Sequence, residues 1–155
     1  AERARLTGAR AGISLSDPFC VDRHRDDFRA LVSGPLDFFL CNEEELKSLY
    51  QTEDLTVALA CGAEDCELVV CTRSSEGVSI CKGTRRWDVP VVPVKPVDAT
   101  GAGDQFAAGF LYGLVQGFDL EICGKIGGIA AGEVIGHIGP RPATSILQML
   151  KSQGI

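Results

Sequence analysis

The sequence predicts an α/β fold in which a mostly parallel β-sheet is covered by helices on both faces. Two observations lead to this prediction. Short apolar runs alternate with helix-like segments in the first half of the chain, and a late glycine-rich loop runs straight into an apolar helix. Such alternation is typical of parallel sheets. The length of 155 residues suits one domain, 1–155, able to bury roughly 68–70% of its unfolded surface.

The first half of the chain contains the alternating elements. The predicted strands are short apolar or β-branched runs, and the predicted helices carry apolar residues on one side. Asp17-Pro18 ends the first strand, and Gly34-Pro35 ends a helix. The order is a helix over 2–11, a strand over 12–16, a helix over 23–32, a strand over 36–41, a helix from Asn42 to Tyr50, a helix over 55–61 and a strand over 68–72.

The second half of the chain is predicted to be mostly helical. Glycines at 77 and 83 bracket a short apolar run, which indicates a hairpin with arms over 78–81 and 86–91. An extended segment over 94–97 then leads into the glycine loop. The remaining segments are predicted to form helices over 103–116, 120–135 and 144–151.

Composition disfavours several classes of function. The formal net charge is −6 and no basic cluster occurs, so nucleic-acid binding is disfavoured. No run of about 18 apolar residues is present, so we expect no membrane span. The seven cysteines are odd in number and include no Cys-x-x-Cys pair. We expect them to be small buried residues of a protein in a reducing cytoplasm.

The most informative segment is Val97–Leu111, which carries two glycines immediately before an apolar helix. The first N–H groups of a helix have no partner inside it, and the helix dipole adds partial positive charge there. Gly101 and Gly103 let an anion approach this backbone closely. Asp104 lies at the rim, where a carboxylate suits the base for a hydroxyl that attacks phosphorus. The pattern predicts a phosphate site beside a catalytic base.

A purely structural interpretation of these residues stays open. Gly-x-Gly before a helix often serves a tight turn and close packing. An aspartate such as Asp104 in a first helical turn is also a favourable partner of the dipole. Asp98 equally suits an Asx turn.

Other polar residues follow the predicted strands, namely Asp17, Asn42 and Thr72. In open α/β sheets, ligands bind beyond the carboxyl ends of the strands, so we expect these residues at the binding edge. Asn42 with Glu45 also has the pattern of a capping box, which is the structural alternative. The loop from Thr72 to Gly77 equally suits an ordinary hairpin entry.

The segment Asp98-Ala99-Thr100-Gly101-Ala102-Gly103-Asp104 resembles the C-terminal signature of the ribokinase (PfkB) family of sugar and nucleoside kinases, Asp-Thr-x-Gly-Ala-Gly-Asp before a small-residue helix. Ala108 and Gly109 fit that helix, and Ala99 departs from the pattern. Residues 14–25 resemble the bacterial adenosine-kinase-like subgroup. The resemblance implies a three-layer, ribokinase-like (Rossmann-like) fold. This chain would be its C-terminal nucleotide-binding half, truncated on the N-terminal side.

The resemblance also implies ATP-dependent phosphorylation of an alcohol group on a sugar or nucleoside. Asp104 would be the base, and the backbone of Gly101, Ala102, Gly103 and Asp104 would form an anion hole. Ser74 departs from the family's Thr-x-Gly-x-x-Gly loop. The other implied contacts are Asn42 and Glu45 with Mg²⁺ and the phosphates, Thr72 and Gly77 with the ribose and phosphates, Ala131 and His137 with the adenine, and Asp98 with a monovalent cation such as K⁺. The simpler interpretation of His137 is a residue at a helix C-terminus that the dipole favours.

The family's N-terminal half, which holds the sugar-binding residues, has no counterpart in these 155 residues. We therefore expect the chain to be inactive alone. We also expect its exposed sheet edge to favour association, for instance as a homodimer. The alternative is a non-catalytic nucleotide-binding or regulatory remnant of such a kinase. A dinucleotide oxidoreductase is disfavoured, because its glycine motif should follow the first strand.

Overall fold

The computed structural model describes the backbone of residues 1–155 and all side chains except those at positions 2 and 5. A short 3₁₀ turn covers Ser74–Glu76. The helices are α1 (Glu2–Leu6), α2 (Pro18–Arg23), α3 (Arg25–Val32), α4 (Glu43–Tyr50), α5 (Leu55–Asp65), α6 (Ala102–Val115), α7 (Leu120–Ile135) and α8 (Ile146–Ser152). The strands are β1 (Gly12–Ser14), β2 (Phe38–Asn42), β3 (Leu68–Thr72), β4 (Val78–Lys82) and β5 (Arg85–Val89).

The strands form one open sheet in the order β1-β2-β3-β4-β5. β1 pairs with β2 and β2 with β3 in parallel, whereas the two-residue link Gly83-Thr84 makes β4 and β5 an antiparallel hairpin. The mostly parallel sheet with its helices confirms the predicted α/β fold. Asn42 is paired with Thr72 at the carboxyl ends of β2 and β3, so these two polar residues share one edge, as expected.

The chain comprises two compact units, Ala1–Ser74 with Ser79–Trp87, and Ser75–Val78 with Asp88–Ile155. A hydrophobic core stabilises the first unit and includes Leu15, Phe39, Leu46 and Val69, all fully buried. The prediction of one domain over 1–155 stays a prediction.

Within the second unit α6 packs closely on α7. A Cβ on Gly109 would lie 2.8 Å from the Ile126 carbonyl oxygen, and one on Gly127 would lie 2.8 Å from the Phe106 ring. Gly109 of α6 and Gly127 of α7 thus allow these two helices to pack closely. No helix among the described residues is long and apolar enough to cross a membrane.

Two predicted boundaries were wrong for local reasons. The helix predicted over 2–11 ends at Leu6, because Gly8 has a φ of 74° that a right-handed helix cannot accommodate. Asp17-Pro18 ends the first strand but also begins α2. Asp17 accepts a hydrogen bond from the Cys20 amide at 2.7 Å, and proline is well tolerated at the first helical position.

The remaining elements lie where predicted, with shifts at their ends. β3 and α7 have the predicted bounds. The helix predicted over 55–61 continues to Asp65. Five of the seven cysteines are buried and all seven are free thiols, which agrees with their expected role as small core residues.

Candidate active site

The N-terminus of α6 is formed by the glycine loop. Gly101 is the N-cap, with a φ of 80°. The Gln105 amide donates to the Gly101 carbonyl at 2.9 Å, and the Ala102 amide donates to the Ala99 carbonyl at 3.1 Å. Among the described residues, the amides of Gly103 and Asp104 have no hydrogen-bond acceptor. The Ala102 amide is therefore already used inside the loop, and the amides of Gly103 and Asp104 are the two free donors at this end of α6.

The two glycines of the loop lie in different surroundings. A Cβ on Gly101 would come within 2.6 Å of the Pro140 Cβ and 2.9 Å of its Cα. A Cβ on Gly103 would meet no atom within 4 Å beyond its chain neighbours and its own helix backbone. Packing against Pro140 and the backbone conformation therefore explain why residue 101 is a glycine. Packing gives no reason for Gly103, whose missing side chain leaves an open approach to the free amides.

Asp104 is exposed in the first turn of α6. Within the part of the chain that the structure describes, its carboxylate has no hydrogen bond or ion pair, so no structural contact occupies it. An acidic side chain next to two free amides is compatible with the predicted base. The favourable interaction with the helix dipole holds as well.

Asp98 organises the loop before α6. Its Oδ1 accepts hydrogen bonds from the Thr100 hydroxyl at 2.6 Å and the Thr100 amide at 2.9 Å, and its Oδ2 accepts one from the Gly139 amide at 3.0 Å. The Thr100 hydroxyl and the Gly139 amide, with the Thr100 amide, lower the pKa of Asp98 from 3.8 to about 2. The Asx turn considered from sequence is present, and both carboxylate oxygens have partners within the protein.

In the first unit, Asn42 and Glu45 form a complete capping box at the start of α4. The Glu45 amide donates to Asn42 Oδ1 at 2.8 Å. The backbone amide of Asn42 donates to Glu45 Oε2 at 2.9 Å, and the Asn42 side-chain Nδ2 donates to Glu45 Oε1 at 2.7 Å. Glu45 is only 5% exposed, and burial raises its carboxyl pKa against the opposing Asn42 hydrogen bond. The capping box that the sequence offered as the structural alternative is therefore present. Any contact between Glu45 and a metal would have to use the remaining lone pairs of its carboxylate oxygens.

Thr72 lies beside Asn42 at the end of the sheet. Its hydroxyl donates to the Cys41 carbonyl at 3.4 Å, and Thr72, Asn42 and Arg73 line an open polar cleft of about 1010 Å³. Gly77, in the other unit, has a φ of 92°, and a Cβ there would meet the Val89 carbonyl oxygen at 2.1 Å. The backbone thus accounts for Gly77 without any ligand.

The predicted adenine contacts differ in their surroundings. His137 lines a cleft of about 400 Å³ next to Gly132 and Glu133, whereas the half-buried Ala131 on α7 does not line it. His137 Nδ1 lies 3.3 Å from the Ile138 carbonyl oxygen and Nε2 lies 3.3 Å from Glu133 Oε2. Since acceptors face both ring nitrogens, the Ile138 carbonyl and Glu133 raise the pKa of His137.

Sequence reasoning missed Glu133 altogether. Burial opposes its ionisation, but hydrogen bonds from the Thr144 amide, His137 and the Ala143 amide lower its pKa overall. The signal was present, because Glu133 precedes His137 by four residues on a helical segment and residues at that spacing share a face. Among the described side chains, no group of three or more His, Cys, Asp or Glu residues could hold a metal ion.

Comparison with known proteins decides the family. The profile of the pfkB family carbohydrate kinases matches residues 2–146. The chain belongs to this family. The match confirms the resemblance to the ribokinase (PfkB) family that the glycine loop indicated, and similar solved structures confirm the ribokinase-like fold.

Similar proteins are sugar and nucleoside kinases. An uncharacterized sugar kinase of Archaeoglobus fulgidus is 43% identical over 103 residues, covering 66% of this chain and 41% of that protein. A cytidine kinase of Thermococcus kodakarensis is 35% identical over 137 residues, covering 84% and 49%. The crystal structure of adenosine kinase from Sinorhizobium meliloti superposes with a TM-score of 0.95 at 44% identity, covering 98% of this chain and 47% of that one.

The chain thus spans about half the length of the relatives that it matches. Kinases of this family use ATP with Mg²⁺, and solved structures of this fold include complexes with ATP.

Proposed function

We propose that residues 1–155 are the C-terminal nucleotide-binding half of an ATP-dependent kinase that phosphorylates an alcohol group of a nucleoside or sugar. The observation that carries the proposal is the start of α6, where two free amides, an open approach at Gly103 and the exposed Asp104 occur together. Membership of a kinase family gives this geometry its chemical meaning.

In the proposed reaction, the hydroxyl oxygen of the acceptor attacks the γ-phosphorus of ATP, and the Asp104 carboxylate accepts the hydroxyl proton. The bond between the γ-phosphorus and the β,γ-bridging oxygen breaks, and ADP leaves. The amides of Gly103 and Asp104 donate hydrogen bonds to the phosphoryl oxygens, where negative charge accumulates. One such donor increases the rate about 10²–10³-fold. Gly101 supplies the left-handed turn at which α6 begins. When bound, Mg²⁺ neutralises charge on the β- and γ-phosphates.

The residues of the first unit support the nucleotide in this proposal. Asn42 and Glu45 would act on Mg²⁺ through its water ligands, because Glu45 is nearly buried and both its oxygens already accept hydrogen bonds from Asn42. Mg²⁺ keeps several waters in most phosphate sites, so this indirect role suits it. Thr72, at the sheet edge, would contact the ribose or phosphates, with the loop to Gly77 following it.

Two further assignments remain proposals. His137 and Ala131 would border the adenine, a role for which the cleft beside His137 gives space and which the position of Ala131 outside that cleft does not favour. Asp98 would bind a monovalent cation such as K⁺ only through carboxylate oxygens that already accept hydrogen bonds from the protein. The cytoplasmic location and the homodimer stay predictions from the sequence.

A nucleoside is the favoured acceptor within this proposal, because similar proteins include a cytidine kinase and an adenosine kinase. The test is a panel of ribonucleosides and sugars, offered with ATP and Mg²⁺ to the full-length protein that contains this chain and separately to the 155-residue chain. We expect phosphorylation of a nucleoside by the full-length protein and none by the chain alone. Nucleotide binding by the full-length protein without transfer to any acceptor would instead favour the non-catalytic remnant.

A further inference from the structure

The Glu133 carboxylate, near the C-terminal end of α7, holds a loop at both of its ends. Oε1 accepts hydrogen bonds from the Ala143 amide at 3.0 Å and the Thr144 amide at 2.7 Å. Oε2 lies 3.3 Å from His137 Nε2. The Glu133 side chain is only 6% exposed. One nearly buried carboxylate therefore fixes the start and the end of segment 137–144.

The middle of the same segment lies against the glycine loop. The Gly139 amide donates to Asp98 Oδ2 at 3.0 Å. Pro140 occupies the space that a Cβ on Gly101 would need. The Pro140 carbonyl accepts a hydrogen bond from Gln105 Nε2 at 3.4 Å. Segment 137–144 thus contacts the residues before, within and after the turn that begins α6.

The charge of Glu133 suits this role. A carboxylate that is nearly buried is costly unless hydrogen-bond donors satisfy it. Here two backbone amides and one imidazole face its oxygens, which favours the ionised form. A truncated side chain would leave the amides of Ala143 and Thr144 without this acceptor, whereas a neutral one of the same shape would keep an oxygen but lose the charge.

From these contacts we propose that Glu133 is a positioning residue for the glycine loop: it holds segment 137–144 in the course that places Gly139 on Asp98 and Pro140 on Gly101. This inference rests on the proposed function for its catalytic consequence. Loss of Glu133 would loosen the turn at Gly101 and so misdirect the amides of Gly103 and Asp104, although Glu133 contacts none of these residues in the hydrogen bonds described.

The test uses Glu133→Ala, Glu133→Gln and the control Glu121→Ala in the full-length protein. Glutamine keeps an oxygen for the two amides, whereas alanine removes it. Glu121 lies on the same helix but, among the described side chains, pairs only with the exposed Lys125. The first readout is amide hydrogen exchange at Gly139, Ala143 and Thr144, which requires no kinase activity. If Glu133→Ala fails to fold, the exchange of Glu133→Gln decides, because glutamine is nearly isosteric with glutamate.

We expect faster exchange at Gly139 as well as at residues 143–144 in Glu133→Ala, an intermediate effect in Glu133→Gln and none in Glu121→Ala. The second readout is kinetic. Misplacing the amides should lower kcat about 10–100-fold in Glu133→Ala and leave KM for ATP within about threefold, with glutamine restoring most of kcat.

Unchanged exchange at Gly139 in both Glu133 variants would overturn the proposal, because the effect of Glu133 would then stop at residues 143–144. A rise in KM at constant kcat would overturn its catalytic part. A wild-type protein with no kinase activity would reject the proposed function. The exchange result would then still decide whether Glu133 holds the loop.

Discussion

Pro140 lies so close to Gly101 that a Cβ at position 101 would stand 2.6 Å from the proline Cβ. Gly103, two residues further on, has open space where its own Cβ would be. The two glycines of one short motif therefore have different reasons to be glycine. The first is fixed by the fold, and only the second leaves room for something outside the chain.

Gly101→Ala should destabilise the protein. The substitution forces a side chain into a φ of 80° and against Pro140, which should cost about 1–3 kcal/mol. Urea unfolding monitored by circular dichroism measures the loss. Gly117→Ala is a matched control, since Gly117 also has a φ of 80° but a Cβ there would meet nothing within 4 Å. An equal loss in both variants would mean that the contact with Pro140 adds nothing.

Gly103→Ala should separate stability from activity. Alanine is favoured over glycine inside a helix by up to about 1 kcal/mol, and its methyl group would meet no other part of the chain. Stability should therefore be retained, while the methyl group narrows the approach to the amides and kinase activity falls. Parallel unfolding and coupled-assay measurements on the full-length protein check this. Full activity in a stable variant would show that no phosphate approaches residue 103.

Asp98→Asn should remove a pH-dependent contribution to stability. The folded-state pKa of Asp98 is lowered from 3.8 to about 2, so its ionised form is favoured by folding. Its contribution is present above about pH 4 and is lost as the pH falls through about 2. The stability gap between wild type and Asp98→Asn should close over that interval in urea titrations. Asp119→Asn is the control, because Asp119 makes no capping hydrogen bond. A gap that stays constant from pH 5 to pH 2 would contradict the account.

The His137 imidazole should titrate above 6.5 in wild type, because the Ile138 carbonyl and Glu133 raise its pKa. Its stabilising contribution is then fully present below about pH 6.5 and is lost as the pH rises through the folded-state pKa. Glu133→Gln should lower the pKa only in part, since the contact with Ile138 remains. NMR titration of the imidazole protons measures both values. Equal titration of His137 in the wild type, Glu133→Gln and the control Glu121→Gln would contradict the pairing.

The elements that sequence predicted well are those whose local signals agree with their tertiary setting. β3 is a short β-branched run that is also buried, and α4 begins at a capping box visible in the sequence. α2 was not predicted, because the pair Asp17-Pro18 is compatible both with the end of a strand and with the start of a helix. The pair ends a strand, and the same two residue types begin a helix when a further amide, that of Cys20, reaches the aspartate.

The candidate site was predictable in outline from the glycine loop, and its supporting contacts were not. The use of the Ala102 amide depends on where the Ala99 carbonyl points, which is a detail of loop geometry. The bond between Asp98 and Gly139 joins residues 41 positions apart. Glu133 had only a helical spacing to His137 as its signal, and its amide partners at 143–144 depend on how the following loop folds back.

Asp104→Asn in the full-length protein tests the central claim most directly. The asparagine side chain keeps the shape of the aspartate but cannot accept the proton of the attacking hydroxyl. Turnover should fall about 10²–10⁴-fold, while ATP affinity measured by calorimetry stays near that of wild type and Glu121→Gln retains full activity. Wild-type turnover in Asp104→Asn would contradict the account, because the carboxylate at the start of α6 would then have no part in the transfer.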